Sequence, residues 1–493
     1  MDNFVMNKSS SIRGALRPLA LATALFLTGC AGLPPADQPP VLKAPQTADF
    51  VAASDGSWPV ASWWTEFNDP QLESLVNQAL RNSPSMAVVQ ARVEQANAAV
   101  RATSADAGAN LAADASATRE HYPEHSLYPP PIGGSTMNSA SLALNFSYDV
   151  DWWGRNRNLL TAALGRSEAS KAEAAGAATT LAASVASTYF QWQTVTARIA
   201  LQDKIEAQRK RLVDLEARRV KAGLTAGETL QPLQADAAAP QQTKVQLETQ
   251  RDQLYYQLKS LVGGEHFPEH LEAHPVPVAI GGLPGNLPLD LLSRRADIAA
   301  SRDRVQAALK DVDAARAEFY PDLNLSAFIG LTSFSFGNLL KSESRMIGAT
   351  PALHLPIFDA GRLRANLDSN RADVELAVAQ YDQSVQTAVG EVNDAAIKLK
   401  GAQREEASLH AQLTARQRNL ISAQRRVNTG LADGRDLARD TLTVLALDDE
   451  ELMRQQQALV AQIELIKALG GGFQEQPATQ AAPATTTATV ANK

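Results

Sequence analysis

Two stretches of this chain carry the same text: Arg218-Arg219-Val220-Lys221-Ala222-Gly223-Leu224 and, later, Arg425-Arg426-Val427-Asn428-Thr429-Gly430-Leu431. Upstream of each, Gly154-Arg155-Asn156-Arg157 answers Gly361-Arg362-Leu363-Arg364, and both sets stand 207 positions apart (361 − 154 and 430 − 223). About 110 residues repeat without a gap, down to Gly263-Gly264 against Gly470-Gly471. Further upstream the match continues at an offset of 212, Arg92-Val93 with Arg304-Val305 and Leu111 with Leu323, so only the piece between differs in length. A repeat this long is a whole structural unit rather than a solenoid turn, and the chain reads as a pseudo-two-fold object made of two similar halves.

The pattern inside each half decides the fold class. Leu142, Leu144, Phe146, Tyr148 and Val150 alternate with Ala143, Asn145, Ser147, Asp149 and Asp151, the period-two signature of a strand with one apolar and one polar face. Leu323 to Leu331 repeats it, as do Ala349, Leu353, Leu355 and Ile357 with Pro351 breaking the row; a weaker strand is expected around Leu111 to Ala117. The strands come as two isolated pairs flanked only by helices, and lengths of roughly 10 residues suit tilted membrane strands. Four strands cannot close a barrel alone, whereas three copies would supply twelve.

The helices set the second constraint. Gly154 to Gly223 and Gly361 to Gly430 each span 69 positions without a proline. At ~1.5 Å per residue each helix would be about 100 Å long. Leu181, Val185, Thr188, Trp192, Val195 and Ile199 follow steps of four and three, and Val385, Val389, Val392, Ala396 and Leu399 repeat them, a heptad seam suited to coiled-coil packing. Return helices are expected from about Gly227 to Gly263 and Gly434 to Gly470, and entering helices from about Pro70 to Ala107 and Pro288 to Tyr320. A return helix and an entering helix together match one long helix, so the short ones should meet end to end halfway along it. The expected division is residues 1–29 as signal peptide, 30–58 as an extended lipidated segment, 59–264 as the first repeat, 265–286 as a mid-height linker, 287–472 as the second repeat and 473–493 as a disordered Ala/Thr/Pro/Gln tail.

At the N-terminus Lys8, Arg13 and Arg17 precede an apolar run from Leu19 to Leu27, too short for a membrane helix and suited to a secretory signal. It ends in Leu27-Thr28-Gly29-Cys30, which looks like a bacterial lipoprotein processing box. Cys30 is the only cysteine of the 493 residues, which excludes an intrachain disulfide and marks it as the expected acylation point. Removing residues 1–29 takes away three basic residues and one acidic, leaving 43 Lys+Arg (46 − 3) against 52 Asp+Glu (53 − 1), a balance that argues against nucleic acid. No later window offers the roughly 18 apolar residues of a membrane helix. Any crossing of a bilayer must then be a closed β-barrel, the other arrangement that satisfies every backbone group internally.

Four motifs in order inside this frame carry a family resemblance: Trp63-Trp64-Thr65-Glu66-Phe67-Asn68-Asp69-Pro70, Tyr148-Asp149-Val150-Asp151-Trp152-Trp153-Gly154-Arg155, the run from Leu287 through Arg294-Arg295-Ala296-Asp297-Ile298, and Pro356-Ile357-Phe358-Asp359-Ala360-Gly361-Arg362. With them the chain resembles the TolC-like outer-membrane efflux channels, in particular the lipoprotein branch that includes OprM and the NodT proteins. Ala296 stands where a proline is common in relatives. The resemblance implies a mixed α and β membrane protein: a trimer with a twelve-stranded outer-membrane β-barrel continued by a long periplasmic α-helical barrel. It also implies a periplasmic adaptor protein and an inner-membrane pump, taken as proton-driven, with outer-membrane lipid around the barrel and Cys30.

Candidate site residues follow from both arguments. Gly154, Arg155, Gly361 and Arg362 mark strand-to-helix junctions, where glycine suits a sharp turn and the arginines could hold Asp151 or Asp359. The loops at Gly223, Leu224, Thr225 and at Gly430, Leu431 read as hairpin turns with left-handed glycine caps. Thr225 with Glu228 forms an expected capping box, with Asp433 and Asp436 as its acidic counterpart. In relatives such Gly-Leu loops meet the adaptor, and the resemblance implies the same here. Beyond the second loop, Asp433, Arg435, Asp436, Arg439 and Asp440 fall where relatives close the tunnel tip. A charge run is otherwise a solvated face, and here arginines replace a leucine and an aspartate of close relatives. His121 and His125, and His266, His270 and His274, have four-residue spacing but sit beside prolines, so metal binding is not expected. There is no phosphate loop, nucleophile triad or carboxylate pair, so no cofactor and no enzymatic reaction are expected.

The function that fits is a passive outer-membrane exit duct of a tripartite efflux pump for small molecules such as drugs or toxic compounds. The alternatives are an outer-membrane channel for protein export, which shares the architecture, and a periplasmic coiled-coil adaptor, which the duplicated strand pairs oppose.

Overall fold

The computed structural model of the chain describes residues 37–51, 56–125, 127–264, 267–279, 282–285 and 287–475. The signal peptide, Cys30 and the tail beyond residue 475 lie outside the described residues. In chain order the elements are α1 (Pro70–Asn82), α2 (Pro84–Asp106), β1 (Asn110–His121), β2 (Thr136–Val150), α3 (Arg155–Lys221), α4 (Leu230–Val262), α5 (Leu287–Arg294), α6 (Ala296–Ala317), β3 (Asp322–Ser333), β4 (Arg345–His354), α7 (Arg362–Asn428) and α8 (Gly434–Ala468). No described helix is long and apolar enough to cross a membrane.

The chain divides into two compact units. Among the described residues, unit 1 falls within residues 1–42, 95–168 and 303–379, and unit 2 within residues 43–94, 169–302 and 380–493. Unit 1 holds the sheet, which is one four-stranded antiparallel sheet in the order β1-β2-β3-β4. The two strand pairs, far apart in sequence, are joined into this one sheet by β2 and β3, which run in register from Ala140↔Ser333 to Val150↔Leu323. The weak first strand is a full one, twelve residues all exposed; its alanines gave little hydrophobic contrast, and its pairing to β2 decides it. β4 ends at His354, short of Leu355 and Ile357, and it runs through Pro351, which an edge strand tolerates. A small apolar core in unit 1 joins Val312 and Ala315 to Leu367, with Phe319 and Val374 against them.

In unit 2 the Trp63-Trp64 motif forms a tight turn whose two indoles are buried, and Asn68 closes it in a left-handed conformation. Asp69 then caps α1, accepting from the N–H groups of Gln71 (2.9 Å) and Leu72 (3.1 Å), with Pro70 at the first helical position. Asp69 also accepts the Tyr189 hydroxyl at 2.7 Å, and burial with this bond pushes the phenol pKa up. The heptad seam is interior in this unit: Leu181, Val185, Thr188, Trp192 and Val195 are buried, as are Val385, Val392, Ala396 and Leu399.

The long helices α3 and α7 are each 67 residues, and their starts and ends stand at the 207 offset (362 − 155 and 428 − 221). Each begins after a glycine with positive φ, Gly154 at 76° and Gly361 at 85°, and each is followed by another, Gly223 at 68° and Gly430 at 73°. The closures match as well: Leu224 N–H donates to Arg219 O and Leu431 N–H to Arg426 O, at 2.9 and 2.8 Å. These are the six-to-one bonds that satisfy a helix's last carbonyls.

Two helical expectations change. Each entering helix is broken, at Ser83 and at Arg295. Ser83 is extended (φ −64°, ψ 132°) because the following Pro84 excludes it from helical angles. Arg295 precedes an alanine, so proline chemistry does not explain its break. Both breaks are closely packed, since a Cβ on Gly263 would meet Asn82 O at 2.5 Å and one on Gly470 would meet Arg294 O. The ends of the return helices thus press on the interruptions, rather than on the beginnings of the entering helices. Helix α4 also contains Pro240. A proline there leaves the carbonyl of Asp236 without its helical donor, and the Arg209 guanidinium donates to that oxygen instead.

Candidate functional site

The sheet of unit 1 sorts its residues by face. Reading across the register, Leu111 lies opposite Phe146, Ala327 and Ala349, and the next row is Ala113, Leu144, Ile329 and Ile347. Val150, Leu323 and Leu353 continue the same face. These apolar side chains are open to the surroundings, with Leu111 68%, Ile329 53% and Ile347 80% exposed. The other face carries Asn110, Ser147, Ser326 and Thr350, then Asp149, Asn324 and Ala352. Its polar groups bond across strands, Asn145 Nδ2 to Asp114 at 2.7 Å and Ser116 with Ser141 at 2.8 Å. Both faces of the sheet are open in the single chain, and an apolar face of this extent is a surface for lipid or a partner to cover. Strands β1 and β4 remain as open edges.

The strand-to-helix junctions are built differently from the sequence expectation. Arg155 donates to Glu318 (3.3 Å), and Asn366 Nδ2 reaches the other oxygen of the same carboxylate (3.2 Å), so Glu318 links the first turns of α3 and α7. The expected partners, Asp151 and Asp359, instead cap the helices. Asp151 accepts from the N–H groups of Asn156 and Arg157, and Asp359 from those of Gly361 and Leu363, between 2.8 and 3.1 Å. A carboxylate at an N-terminus meets unsatisfied donors and the positive dipole end, whereas an exposed arginine pair gains little. Arg362 is exposed, close enough to Asp359 to help lower its pKa, after the backbone bond from Leu363. Trp153 stacks on Tyr320, centroids 4.4 Å apart, and its indole donates to Pro321 O at 2.8 Å. Glu318 was invisible in the sequence because it arrives from a different element.

The two hairpin loops lie in unit 2. Leu224 is 66% exposed and Leu431 79%, both held out on left-handed glycine turns. Thr225 and Glu228 do not form a capping box: the turn at residues 227–229 has Ala226 at its N-cap with no side-chain bond. Thr229 takes the polar role, its hydroxyl donating to Glu216 at 3.0 Å and to Ala226 O at 2.7 Å. In the second loop Asp433 does cap α8, accepting from Arg435 N–H at 2.9 Å, while Asp436 is exposed and gives no reciprocal bond.

The expected charge run is split by the structure. Arg435 turns inward, donating to Asp433 (2.8 Å) and to Glu216 (2.8 Å) on α3, and Arg219 approaches Asp433 at 3.5 Å. Glu216 is buried, and its bond from Arg435 holds its pKa below the carboxylate range despite desolvation. Asp433 is lowered too, first by the backbone N–H of Arg435. Arg435 is raised by its two acceptors. Asp436 and Arg439 form an exposed pair at 3.6 Å, and Asp440 is exposed. The residues thus form an inner cross-hairpin knot of Glu216, Arg219, Asp433 and Arg435 and an outer solvated group. Glu216 was missed, although the repeat carried a signal: its counterpart 207 positions on is the buried Ala423. Among the described residues no group of three or more His, Cys, Asp or Glu side chains is arranged to hold a metal ion.

Comparison with known proteins places this geometry in context. The profile of the outer membrane efflux protein family matches residues 75–264 and 287–471. The multidrug resistance outer membrane protein MdtQ of Escherichia coli O157:H7 is 32% identical over 465 residues, 91% of this chain and 96% of that one. MdtP of Escherichia coli K12, another multidrug resistance outer membrane protein, is 31% identical over 475 residues, 93% and 97% of the two chains. Among solved structures, the outer membrane protein VceC of Vibrio cholerae is similar with TM-score 0.74 and 31% identity, over 85% of this chain and all of that one. The outer-membrane channel OprN is similar with TM-score 0.77 and 26% identity, over 89% and 98%.

Proposed function

The chain belongs to the outer membrane efflux protein family, and on that premise we propose how it works as an outer-membrane exit duct for efflux. Three copies close one twelve-stranded barrel in the outer membrane, and α3, α7 and the shorter helices of each copy, arising from an internal duplication, continue it as a helical barrel in the periplasm. The duct is passive. It conducts small molecules delivered by a periplasmic adaptor and a proton-driven inner-membrane pump, and it catalyses nothing.

The observation that carries this reading is the sheet with an exposed apolar face and two open edges. Lipid offers no hydrogen-bond partners to an edge, so β1 and β4 must pair before they face it. The edges run antiparallel, so β4 of one copy can pair with β1 of the next. Two copies would give a barrel of about eight strands, whose interior is filled by side chains, and a conduit therefore requires a third. Leu224 and Leu431 are the proposed adaptor contacts, and Asp433, Arg435, Asp436, Arg439 and Asp440 the proposed periplasmic closure. Cys30 is the proposed acyl anchor. Light scattering on detergent-solubilised protein should return three times the mature chain mass, and a deletion strain should accumulate drugs. A monodisperse monomer with native circular dichroism would overturn the architecture.

A further inference from the structure

The two halves of the duplication part company at one level of unit 2. On α3, Tyr189, Phe190, Trp192, Gln193 and Thr194 are all buried. Phe190 packs on Phe67 (centroids 5.0 Å apart) and on Tyr189 (5.6 Å), and the Gln193 amide donates to the Tyr189 hydroxyl at 2.7 Å and to Glu272 O at 2.9 Å. The positions 207 residues further on, in α7, are Ala396 (189 + 207), Ile397, Leu399, Lys400 and Gly401. Each aromatic ring has become a smaller aliphatic side chain, and the buried amide has become an exposed cation.

The volume lost is not refilled. Ala396, Leu399, Leu283 and Leu465 line a cavity of about 480 Å³ together with Lys400 and Arg404, which are exposed and so stand at its rim. Gly401 lines it too, and a Cβ on that residue would meet nothing within 4 Å. Close-packed interiors do not leave voids of this size, whereas an apolar wall with a few charged groups is how small-molecule sites are built. The two cations point to the ligand's head group. Lys400 and Arg404 are one helical turn apart, where like charges repel, and no acid stands three or four positions from either. Among the described residues neither has an ion pair, although the chain carries 53 acidic against 46 basic residues. A carboxylate between them removes the repulsion, and the planar guanidinium of Arg404 suits both of its oxygens.

We propose that this cavity is a binding site for a single-chain amphiphilic carboxylate, its tail among Leu283, Leu399 and Leu465 and its head on Lys400 and Arg404. None of these residues belongs to the loops or charges assigned above to docking and closure. The test uses the full chain in lipid nanodiscs, titrated calorimetrically with decanoate and with decanol, empty discs serving as the blank. Decanoate should bind saturably, one per chain, and about tenfold more tightly than decanol, the gain expected of charge-assisted contacts. Lys400→Gln with Arg404→Gln should bring decanoate down to the affinity of decanol and leave decanol unchanged; both side chains are exposed, so the fold does not depend on them. Lys400→Arg should keep the preference. Ala396→Leu, which extends a side chain into the cavity, should weaken both ligands at least tenfold. Decanoate that fails to saturate above the blank would overturn the site, and decanoate bound no more tightly than decanol would overturn the anionic head. A preference that survives the double glutamine substitution would overturn the role of Lys400 and Arg404. Unchanged binding in Ala396→Leu would overturn the cavity as the place of the tail, and should that variant fail to fold, the double glutamine variant still decides the proposal.

Discussion

Arg295 allows a quantitative test of how the broken helix is held. Its side chain is 8% exposed and has four bonds: Nε and Nη2 to Asp297 at 3.0 and 2.7 Å, Nη2 to Glu391 at 2.7 Å, and Nη1 to the carbonyl of Ala468 at 2.9 Å. That carbonyl belongs to the last turn of α8, which has no helical donor left for it and presents the negative end of the helix dipole to the guanidinium. Replacing Arg295 with Met keeps the volume and removes every bond. Breaking a fully buried pair costs about 3–5 kcal/mol, but Asp297 and Glu391 are 49% and 47% exposed and can turn to water. The remaining cost is a desolvated carbonyl, about 1–3 kcal/mol, with part of one charged contact, so we expect about 2–3 kcal/mol. At about 1.36 kcal/mol per tenfold change, that is roughly a 30- to 150-fold increase in local opening. Native-state amide exchange over residues 458–472 should accelerate by this factor in Arg295→Met and by less in Arg295→Lys, which keeps one point charge. Exchange within about threefold of the unaltered protein would refute the claim that Arg295 holds the end of α8 against the break.

Three further outcomes are expected. Replacing Leu224 and Leu431 together with Asp should abolish efflux at normal trimer level, since an unpaired charge in an apolar contact is costly; normal drug accumulation in that strain would remove the reason for placing a partner on these loops. Asp436→Ala with Asp440→Ala should raise single-channel conductance in planar bilayers, and unchanged conductance would discard the outer charges as part of the closure. Glu216 and Asp433 lie below their ordinary values of 4.5 and 3.8, so the stability they contribute is present above those values and lost as the pH falls through the lowered ones. A fluorophore on the loops should therefore report loosening on acidification below about pH 4, the ordinary carboxylate range, and Arg435→Met should lose most of that dependence; persistence of the full pH response in Arg435→Met would disprove the knot.

The sequence by itself determined the long-period features. A 207-residue offset, proline-free runs and heptad steps depend only on chain order, so the two 67-residue helices and their glycine ends were legible to within two residues. The alternation in Leu142 to Val150 gave β2 its faces for the same reason, because strand side chains alternate whatever the partner strand is. Joining of β2 to β3 into one sheet needed the pairing, since register is a relation between segments separated by about 180 residues. Carboxylate partners were the least legible. Asp151 and Asp359 looked like arginine acceptors by proximity in sequence, yet the helix N-termini beside them offered stronger donors. Glu318 and Glu216 became visible only when the residue just past α6 met α3 and α7, and when α3 met the start of α8. Local periodicity is written into each segment, whereas the partner of a buried or half-buried charge is chosen by whichever element the fold brings within about 3 Å.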